Sequence, residues 1–378
     1  MQQLEIVIVY SIFLGFLIYF LLLFVFYFNG FKSAIKPQFN STPKGFSILI
    51  PFRNEAENLE ALIHSLSHIN YPENAFEIIF INDHSNDNSK TIIEKFLANS
   101  PRLNGHLIDI PDDFFGKKAA ISEGLKKSNY DLIAQTDADC VVSPNWLFEA
   151  NEIFEDKNVK LLLGFLDYKS KFNALGVFQI LENLALQSIA FSSVNFKIPC
   201  LANGANFMFR KDAFNQIQHE RNDLKVASGD DMFVLFAILK TFGADSIFFN
   251  SNADFKVLSN TSISLKELIF QKIRWSSKSV YYDNFFAKFL ALLVLFVNFF
   301  TAFLLALAIF KNQYLGITMV VFLLKMCLET LLIIRTASIF NKLKYLLFVF
   351  PFSVIYCFYV PIIALLGLFL KPKWKGRS

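Results

Sequence analysis

The sequence predicts an α/β domain held between membrane-spanning helices, and three observations carry that prediction. A charge-free apolar run, Ile6 to Phe28, stands near the N-terminus. Between about Lys44 and Tyr282, short apolar runs alternate with helix-like stretches in the order of a parallel α/β sheet. Beyond Tyr282, three further long apolar runs follow. Composition agrees, because 54% of the 378 residues are hydrophobic and 47 residues are Phe, more than a soluble core requires.

The run Ile6 to Phe28 exceeds the roughly 20 apolar residues needed to cross a bilayer. Met1 to Glu5 carries no basic residue and no small-residue cleavage site follows the run, so it reads as a retained span and not as a signal peptide. Lys32, Lys36, Lys44 and Arg53 follow it, which assigns that side to the cytosol and the N-terminus to the outside.

The later runs are Phe285 to Phe310, Tyr314 to Ile334 and Tyr345 to Leu370. Lys325 and Glu329 lie four residues apart in the middle run, a spacing that predicts an ion pair on one helical face. Charges inside a membrane also mark functional sites, so a second role stays open. Three C-terminal spans would leave Lys371, Lys373, Lys375 and Arg377 outside, against the positive-inside rule. Pro351 and Pro361 interrupt the last run, which allows a bend, a re-entrant turn or an interfacial helix. The expected organisation is a membrane helix over 1–30, a linker over 31–43, a cytosolic domain over 44–282, a C-terminal membrane region over 283–370 and a basic tail over 371–378.

Cys140, Cys200, Cys327 and Cys357 show no paired or metal-like spacing, which fits a reducing compartment. The net charge of +4 is modest, and the basic residues gather near apolar segments, pointing to lipid headgroups. No nucleic-acid motif is present, so no nucleic-acid partner is expected.

Within the soluble middle, Phe46 to Pro51 reads as a buried strand, followed by Arg53-Asn54-Glu55 and a helix with Leu59, Leu62, Ile63 and Leu66 on one face. A second strand, Phe76 to Ile81, leads into Asn82-Asp83-His84-Ser85-Asn86-Asp87 and another helix with Ile92, Ile93 and Phe96 as its stripe. Ligands bind at such strand ends, although Asp83, Ser85 or Asp87 could serve only as a helix cap. Gly116-Lys117-Lys118 starts a third helix with two cations in its first turn, where the dipole disfavours them. A bound phosphate or simple solvation would each answer that.

The strand Asp131 to Thr136 ends in Asp137-Ala138-Asp139, whose carboxylates share one face if extended. Their repulsion is relieved by a divalent cation that also binds a diphosphate, since Mg²⁺ typically uses few protein carboxylates plus phosphates. His84 and His219 have no partner evident in the sequence. The stretch Phe165 to Phe196 holds either a helix lying on the membrane or a buried core helix.

These residues resemble membrane-bound family 2 glycosyltransferases of the GT-A fold, a Rossmann-like mixed sheet. The resemblance runs through Pro51-Phe-Arg-Asn54-Glu55, Asp83, Gly116-Lys117 and Asp137-Ala-Asp139. Ser228-Gly229-Asp230-Asp231 and Gln271-Lys-Ile-Arg274-Trp275 extend it, so that it covers about Lys44 to Tyr282. Within the family, the chain resembles ceramide glucosyltransferase-like and cellulose or hyaluronan synthase-like enzymes.

The resemblance implies a nucleotide-sugar donor, a UDP-sugar first, bound by Pro51, Asn54, Glu55, Asp83, Lys117, Asp137, Gln271 and Arg274. It implies Mg²⁺ or Mn²⁺ at Asp139 with Asp137, and a catalytic base at Asp231 or Asp230. Trp275, Gly204 and Asn206, the last two from Cys200-Leu-Ala-Asn203-Gly204-Ala205-Asn206, would face the acceptor. Each motif also has a plainer reading. Asp230 and Asp231 suit the first turn of a helix, and Arg274 with Trp275 suits an interfacial anchor.

The expected enzyme sits in a bacterial inner or plasma membrane with its domain in the cytosol and moves a sugar onto a membrane lipid or lipid-linked acceptor. A processive polysaccharide synthase is the alternative. A nucleotidyltransferase lacks its glycine-rich loop here. A non-enzymatic receptor or transporter subunit would leave the carboxylates without a task.

Overall fold

The protein was analysed as a computed structural model that describes residues 2–30, 42–220 and 230–370; the side chains of residues 2–9, Asn29, His219 and Asp230 lie outside that description. The chain divides into two compact units that interleave along the sequence. Residues 33–169 and 197–260 form an α/β unit, and residues 1–32, 170–196 and 261–378 form a helical one. The segments 170–196 and 261–282 therefore cluster with the apolar helices.

The helical unit opens with α1 (Gln2–Asn29). The α/β unit then runs β1 (Phe46–Phe52), α2 (Leu59–Leu66), β2 (Phe76–Asn82), α3 (Ser89–Asn99) and β3 (Gly105–Asp109). It continues through α4 (Gly116–Lys127), β4 (Leu132–Gln135), β5 (Cys140–Val142), α5 (Trp146–Ile153), β6 (Leu161–Gly164) and β7 (Leu166–Lys169). After α6 (Ala174–Asn195) of the helical unit come β8 (Phe207–Arg210), α7 (Lys211–Gln216), α8 (Asp230–Phe242), β9 (Ile247–Asn250) and β10 (Val257–Asn260).

Seven strands form one mixed sheet in the order β3-β2-β1-β4-β8-β6-β9, and β5-β10-β7 form a small second sheet. All seven residues of β2 are buried, as expected of a parallel strand covered on both faces. Glu77 within it is fully buried yet satisfied, accepting from Ser47 Oγ, Asn129 N and Asn129 Nδ2, each at 2.6 Å.

Strands β1, β2 and β4 are parallel, with Phe52 opposite Asn82 and Leu49 opposite Gln135. Their C-terminal loops therefore open on one edge. Strand β8 pairs antiparallel to β4 with Phe207 opposite Gln135, so the segment preceding β8 opens on that same edge. This topology is what gathers residues 53–55, 83–87, 136–139 and 203–206.

The helical unit is completed by α9 (Leu265–Ser279), α10 (Phe285–Phe310), α11 (Leu315–Ile339) and α12 (Val349–Phe369). Among the described residues, five segments are long and apolar enough to cross a bilayer: Tyr10–Phe28, Ala174–Asn195, Phe285–Phe310, Asn312–Ile339 and Leu343–Phe369. The most apolar stretch of α6 is 67% buried, against 11–28% for those of the other four, so α6 is the most buried of the five. The anticipated ion pair forms, with Lys325 Nζ 2.8 Å from Glu329 Oε1, and Tyr19 donates to the same oxygen at 2.6 Å.

Pro361 lies inside a continuous α12, and Pro351 falls in its first turn, where a missing N–H costs no helical hydrogen bond. Lys371, Lys373, Lys375 and Arg377 lie outside the described residues.

Candidate active site

The loop after β4 holds Asp137 and Asp139. Lys117 at the start of α4 forms an ion pair with Asp137 Oδ1. An anionic partner for this first-turn cation thus comes from the protein itself. Asp139 is held by its neighbours: Ser259 Oγ of β10 donates to its Oδ2 at 3.3 Å, and Cys140 Sγ to its Oδ1 at 3.5 Å. Burial, then the charges of Asp137 and Glu55, push the Asp139 carboxyl up to about 6. The same burial and the adjacent carboxylates raise the Cys140 thiol well above its ordinary value.

The loops after β1 and β2 are laced together. Ser85 Oγ accepts from Asn54 N at 3.1 Å, and Asn54 Oδ1 accepts from Asn86 N at 2.9 Å. Glu55 N donates to Ser89 Oγ at 2.8 Å, and Ala56 N to Asp87 Oδ2 at 3.1 Å. Asn54 itself has φ 52°, in the left-handed region that Asn tolerates. Asp87, with Oδ1 also accepting from Ser89 N, works as a loop staple. Pro51 is half-buried at the end of β1.

Asp83 is 2% exposed, and its Oδ2 accepts the Gly116 amide at 3.0 Å. Gly116 has φ 88°, a conformation that favours glycine and delivers this amide while starting α4. His84, without an evident partner in the sequence, has two acidic neighbours and an aromatic one here. Its Nδ1 is 3.1 Å from Asp83 Oδ1, its Nε2 is 3.6 Å from Asp112 Oδ1, and its ring lies 4.9 Å from that of Phe115.

Gly204 N donates to Asp231 Oδ2 at 2.9 Å, and Met232 N to Asp231 Oδ1 at 2.9 Å. Asp231 therefore lies in the first turn of α8, as its plainer reading held, and also reaches the strand-edge loop. A methyl group at Gly204 would lie 3.1 Å from both Lys117 Nζ and Gln135 Nε2 and 3.5 Å from Asp231 Cβ, so this glycine marks where the two halves of the site meet. Gln135 Nε2 also donates to Gly204 O at 2.8 Å. Ser228 and Gly229 lie outside the described residues, as does the side chain of Asp230.

Asn206 corrects an expectation. Its side chain is fully buried, accepts from Trp146 Nε1 at 2.9 Å, and donates to Phe165 O at 3.0 Å and Phe255 O at 2.7 Å. It fixes the loop from within the core and does not face an acceptor.

In the helical unit, Gln271 and Arg274 are half-buried on α9 and Trp275 is 36% exposed. Ser264 accepts from Glu267 N at 3.2 Å and caps the helix start. Lys272, between the motif residues, is paired with Glu182 of α6 at 2.6 Å and lies 4.3 Å from the Trp275 ring centroid. Tyr359 of α12 donates to Glu182 at 3.3 Å. Lys272, Glu182, Ser259 and Gln135 were not singled out from sequence because each owes its place to partners supplied by folding.

The donor set fits a divalent cation. Two carboxylates crowd one another, and the more buried one is held protonated above its usual range, an arrangement that a cation reverses. Among the described residues, no group of three or more His, Cys, Asp or Glu could hold a metal by protein ligands alone.

Residues 47–218 match the family described as glycosyl transferase family 2. The chain carries a family 2 glycosyltransferase domain. Its mixed sheet is the GT-A fold, as in the mannosyltransferase from Pyrobaculum calidifontis solved with GDP-Man and Mn²⁺, which superposes with TM-score 0.57 at 13% identity over 96% of this chain and 97% of that one.

Among curated relatives of the family 2 domain, the poly-beta-1,6-N-acetyl-D-glucosamine synthase of Staphylococcus epidermidis is 29% identical over 202 residues, 51% of this chain and 46% of the relative. Glycosyltransferase AglE of Haloferax volcanii is 28% identical over 128 residues, 34% of this chain and 41% of the relative. The match spans less than half the length of each.

Proposed function

We propose that the chain moves a sugar from a nucleotide-sugar donor, a UDP-sugar first, to a lipid or lipid-linked acceptor at a membrane. The observation that carries this reading is the meeting of Asp137, Asp139 and Lys117 with the Gly204–Asp231 pair around one point of the strand edge. Asp139 and Asp137 would hold Mg²⁺ or Mn²⁺, which when bound supplies charge neutralisation to the donor diphosphate.

Asp231 is the base. Two backbone amides orient its carboxylate, and carboxylate oxygens keep further lone pairs for an acceptor hydroxyl. The hydroxyl oxygen bonds to the anomeric carbon as the bond to the diphosphate breaks, its proton passes to Asp231, and configuration inverts without a covalent enzyme intermediate. Lys117 faces the negative charge that builds on the leaving group. Asp83 and Glu55 brace the donor loops.

The apolar helices support a membrane setting, and the basic residues after α1 support a cytosolic site. Helix α6 begins and ends on segments of the α/β unit, so a single crossing by it would separate parts of one fold; α1, α10, α11 and α12 are the proposed spans. The likeness to a polysaccharide synthase favours a second reading, in which transfer repeats.

The test is a panel of nucleotide sugars with purified protein and membrane lipid extract, products sized by mass spectrometry. Wild type should consume one donor, and Asp139→Asn and Asp231→Asn should not. Folded Asp231→Asn with near-normal turnover would remove the base assignment, and consumption of no donor by wild type would sink the enzyme reading. A ladder of sugar additions selects the processive reading, a single mass increment the other.

A further inference from the structure

Helix α2 buries Leu59, Leu62, Ser65 and Leu66, and Ser65 Oγ accepts from Val142 N of the edge strand β5 at 3.2 Å. This fixes the rotation of the helix and turns its remaining stripe outward, where His64 and His68 are both exposed. They stand four residues apart, the spacing that brings side chains together on a helix. Their ring centroids are 4.3 Å apart, with the planes 27° from parallel. His68 lies just past the C-cap Ser67, and its backbone N–H donates to Ser65 O at 3.1 Å, so the turn continues far enough to hold the two rings together.

His68 Nδ1 is 2.7 Å from His64 O. A carbonyl only accepts, so Nδ1 carries the proton, and in the neutral ring Nε2 holds a lone pair. The plainer role of this bond is to satisfy a last-turn carbonyl of α2. That role asks nothing of His68 Nε2 or of either nitrogen of His64. An imidazole with one N–H tied to a backbone carbonyl is also the usual state of a metal ligand, because the bond fixes tautomer and ring orientation. Zn–N bonds of about 2.0–2.1 Å put two ligand nitrogens roughly 3–4 Å apart, a separation the stacked rings already approach.

Strands β1 and β2 are parallel, so α2 between them runs back from the strand edge, about 12 Å over its eight residues. The histidine pair therefore lies toward the edge of the sheet opposite Asp137 and Asp139.

We propose that His64 and His68 form a second metal site, separate from the strand-edge carboxylates, for a borderline first-row ion: Zn²⁺, Ni²⁺ or Cu²⁺. Imidazole nitrogen suits these ions, whereas carboxylate and phosphate oxygens suit Mg²⁺ and Mn²⁺. Among the described residues no third His, Cys, Asp or Glu completes the set, so water takes the remaining positions. The bound ion clips the last turn of α2. This site does not depend on the nucleotide-sugar reading.

Titration of the full chain in detergent, first stripped with a chelator, with Ni²⁺ and Cu²⁺ tests it, for wild type, His64→Gln, His68→Gln and Asp139→Asn. Wild type and Asp139→Asn should bind the ion alike, each histidine variant should bind it about tenfold or more weakly, and excess Mg²⁺ should not displace it. Electron paramagnetic resonance with Cu²⁺ should show coupling to two imidazole nitrogens in wild type and to one in either histidine variant. Both variants change exposed side chains and should melt with wild type in chelator, which separates lost binding from lost folding. Binding that survives in both histidine variants, or that is absent from wild type, overturns the site. Binding lost in only one of them puts the ion on a single residue and overturns the pair.

Discussion

In the helical unit Lys272 meets Glu182 at 2.6 Å with side chains 8% and 7% exposed, and Lys325 meets Glu329 at 2.8 Å. In the α/β unit Asp139 stands beside Asp137 and Glu55, and their charges add to burial in holding its proton. Both regions bury charge, but the first closes these charges on opposite ones, while the second pairs Asp137 with Lys117 and leaves Asp139 crowded by like charges. Closed pairs resist change and serve architecture. Crowded carboxylates hold free energy that a cation and a phosphate can release, which is what a binding site for them requires.

Removing one member of a closed pair is the strongest test of this contrast. Lys272→Met should lower stability by about 3–5 kcal/mol, because Glu182 would be left buried and unpaired, and Lys272→Met with Glu182→Gln should recover most of it. Thermal unfolding in detergent measures both, and a single variant that melts like wild type would erase the distinction. In the other region Asp139→Asn should cut transfer by about 10²- to 10³-fold. Its melting temperature without metal should not fall at neutral pH, since the amide removes a charge that burial and Asp137 disfavour. A large drop in melting temperature would show that Asp139 is a structural carboxylate.

Smaller changes sharpen the picture of the crowded site. Gly204→Ala places a methyl 3.1 Å from Lys117 Nζ and Gln135 Nε2. Both are side-chain ends that can shift, so transfer should fall by about tenfold, roughly 1.4 kcal/mol, while the fold stays within about 1 kcal/mol of wild type. Ser259→Ala removes one 3.3 Å hydrogen bond to Asp139, and Mn²⁺ affinity, read by titration with UDP present, should weaken by about two- to tenfold, the size of one such bond. Unchanged affinity would mean that β10 supports the loop by pairing alone.

Much of this architecture was legible in the chain itself. The long apolar helices follow from apolar runs of the length that crosses a bilayer. Short apolar runs stopped by polar residues set the strand ends at Pro51, Ile81 and Thr136, against Phe52, Asn82 and Gln135 in the fold. The places of Asp83 and Asp137 were legible as residues that follow strands, and those of Lys117 and Asp231 as first-turn residues of helices.

Other assignments were not. Asn206 belongs to a glycine-containing loop of the kind that faces ligands, yet its partners Trp146, Phe165 and Phe255 turn it into the core. His84 had no visible partner because Asp112 and Phe115 come from the next loop, and adjacency to Asp83 says nothing about ring direction. Helix α6 carries the composition of a membrane span, and only its burial sets it apart from the other four.

What the sequence determined by itself is therefore what depends on neighbours a few residues away: helix and strand periods, apolar length, and which acids end which strand. The tertiary structure alone decided the contacts that join distant segments. Ser259 reaches Asp139 across 120 positions, Gln135 reaches Gly204 across 69, and Lys272 finds Glu182 on a helix that leaves and rejoins the α/β unit. Periodicity is a property of the local backbone. Partnership between remote side chains follows from strand order and helix packing, which no single segment encodes.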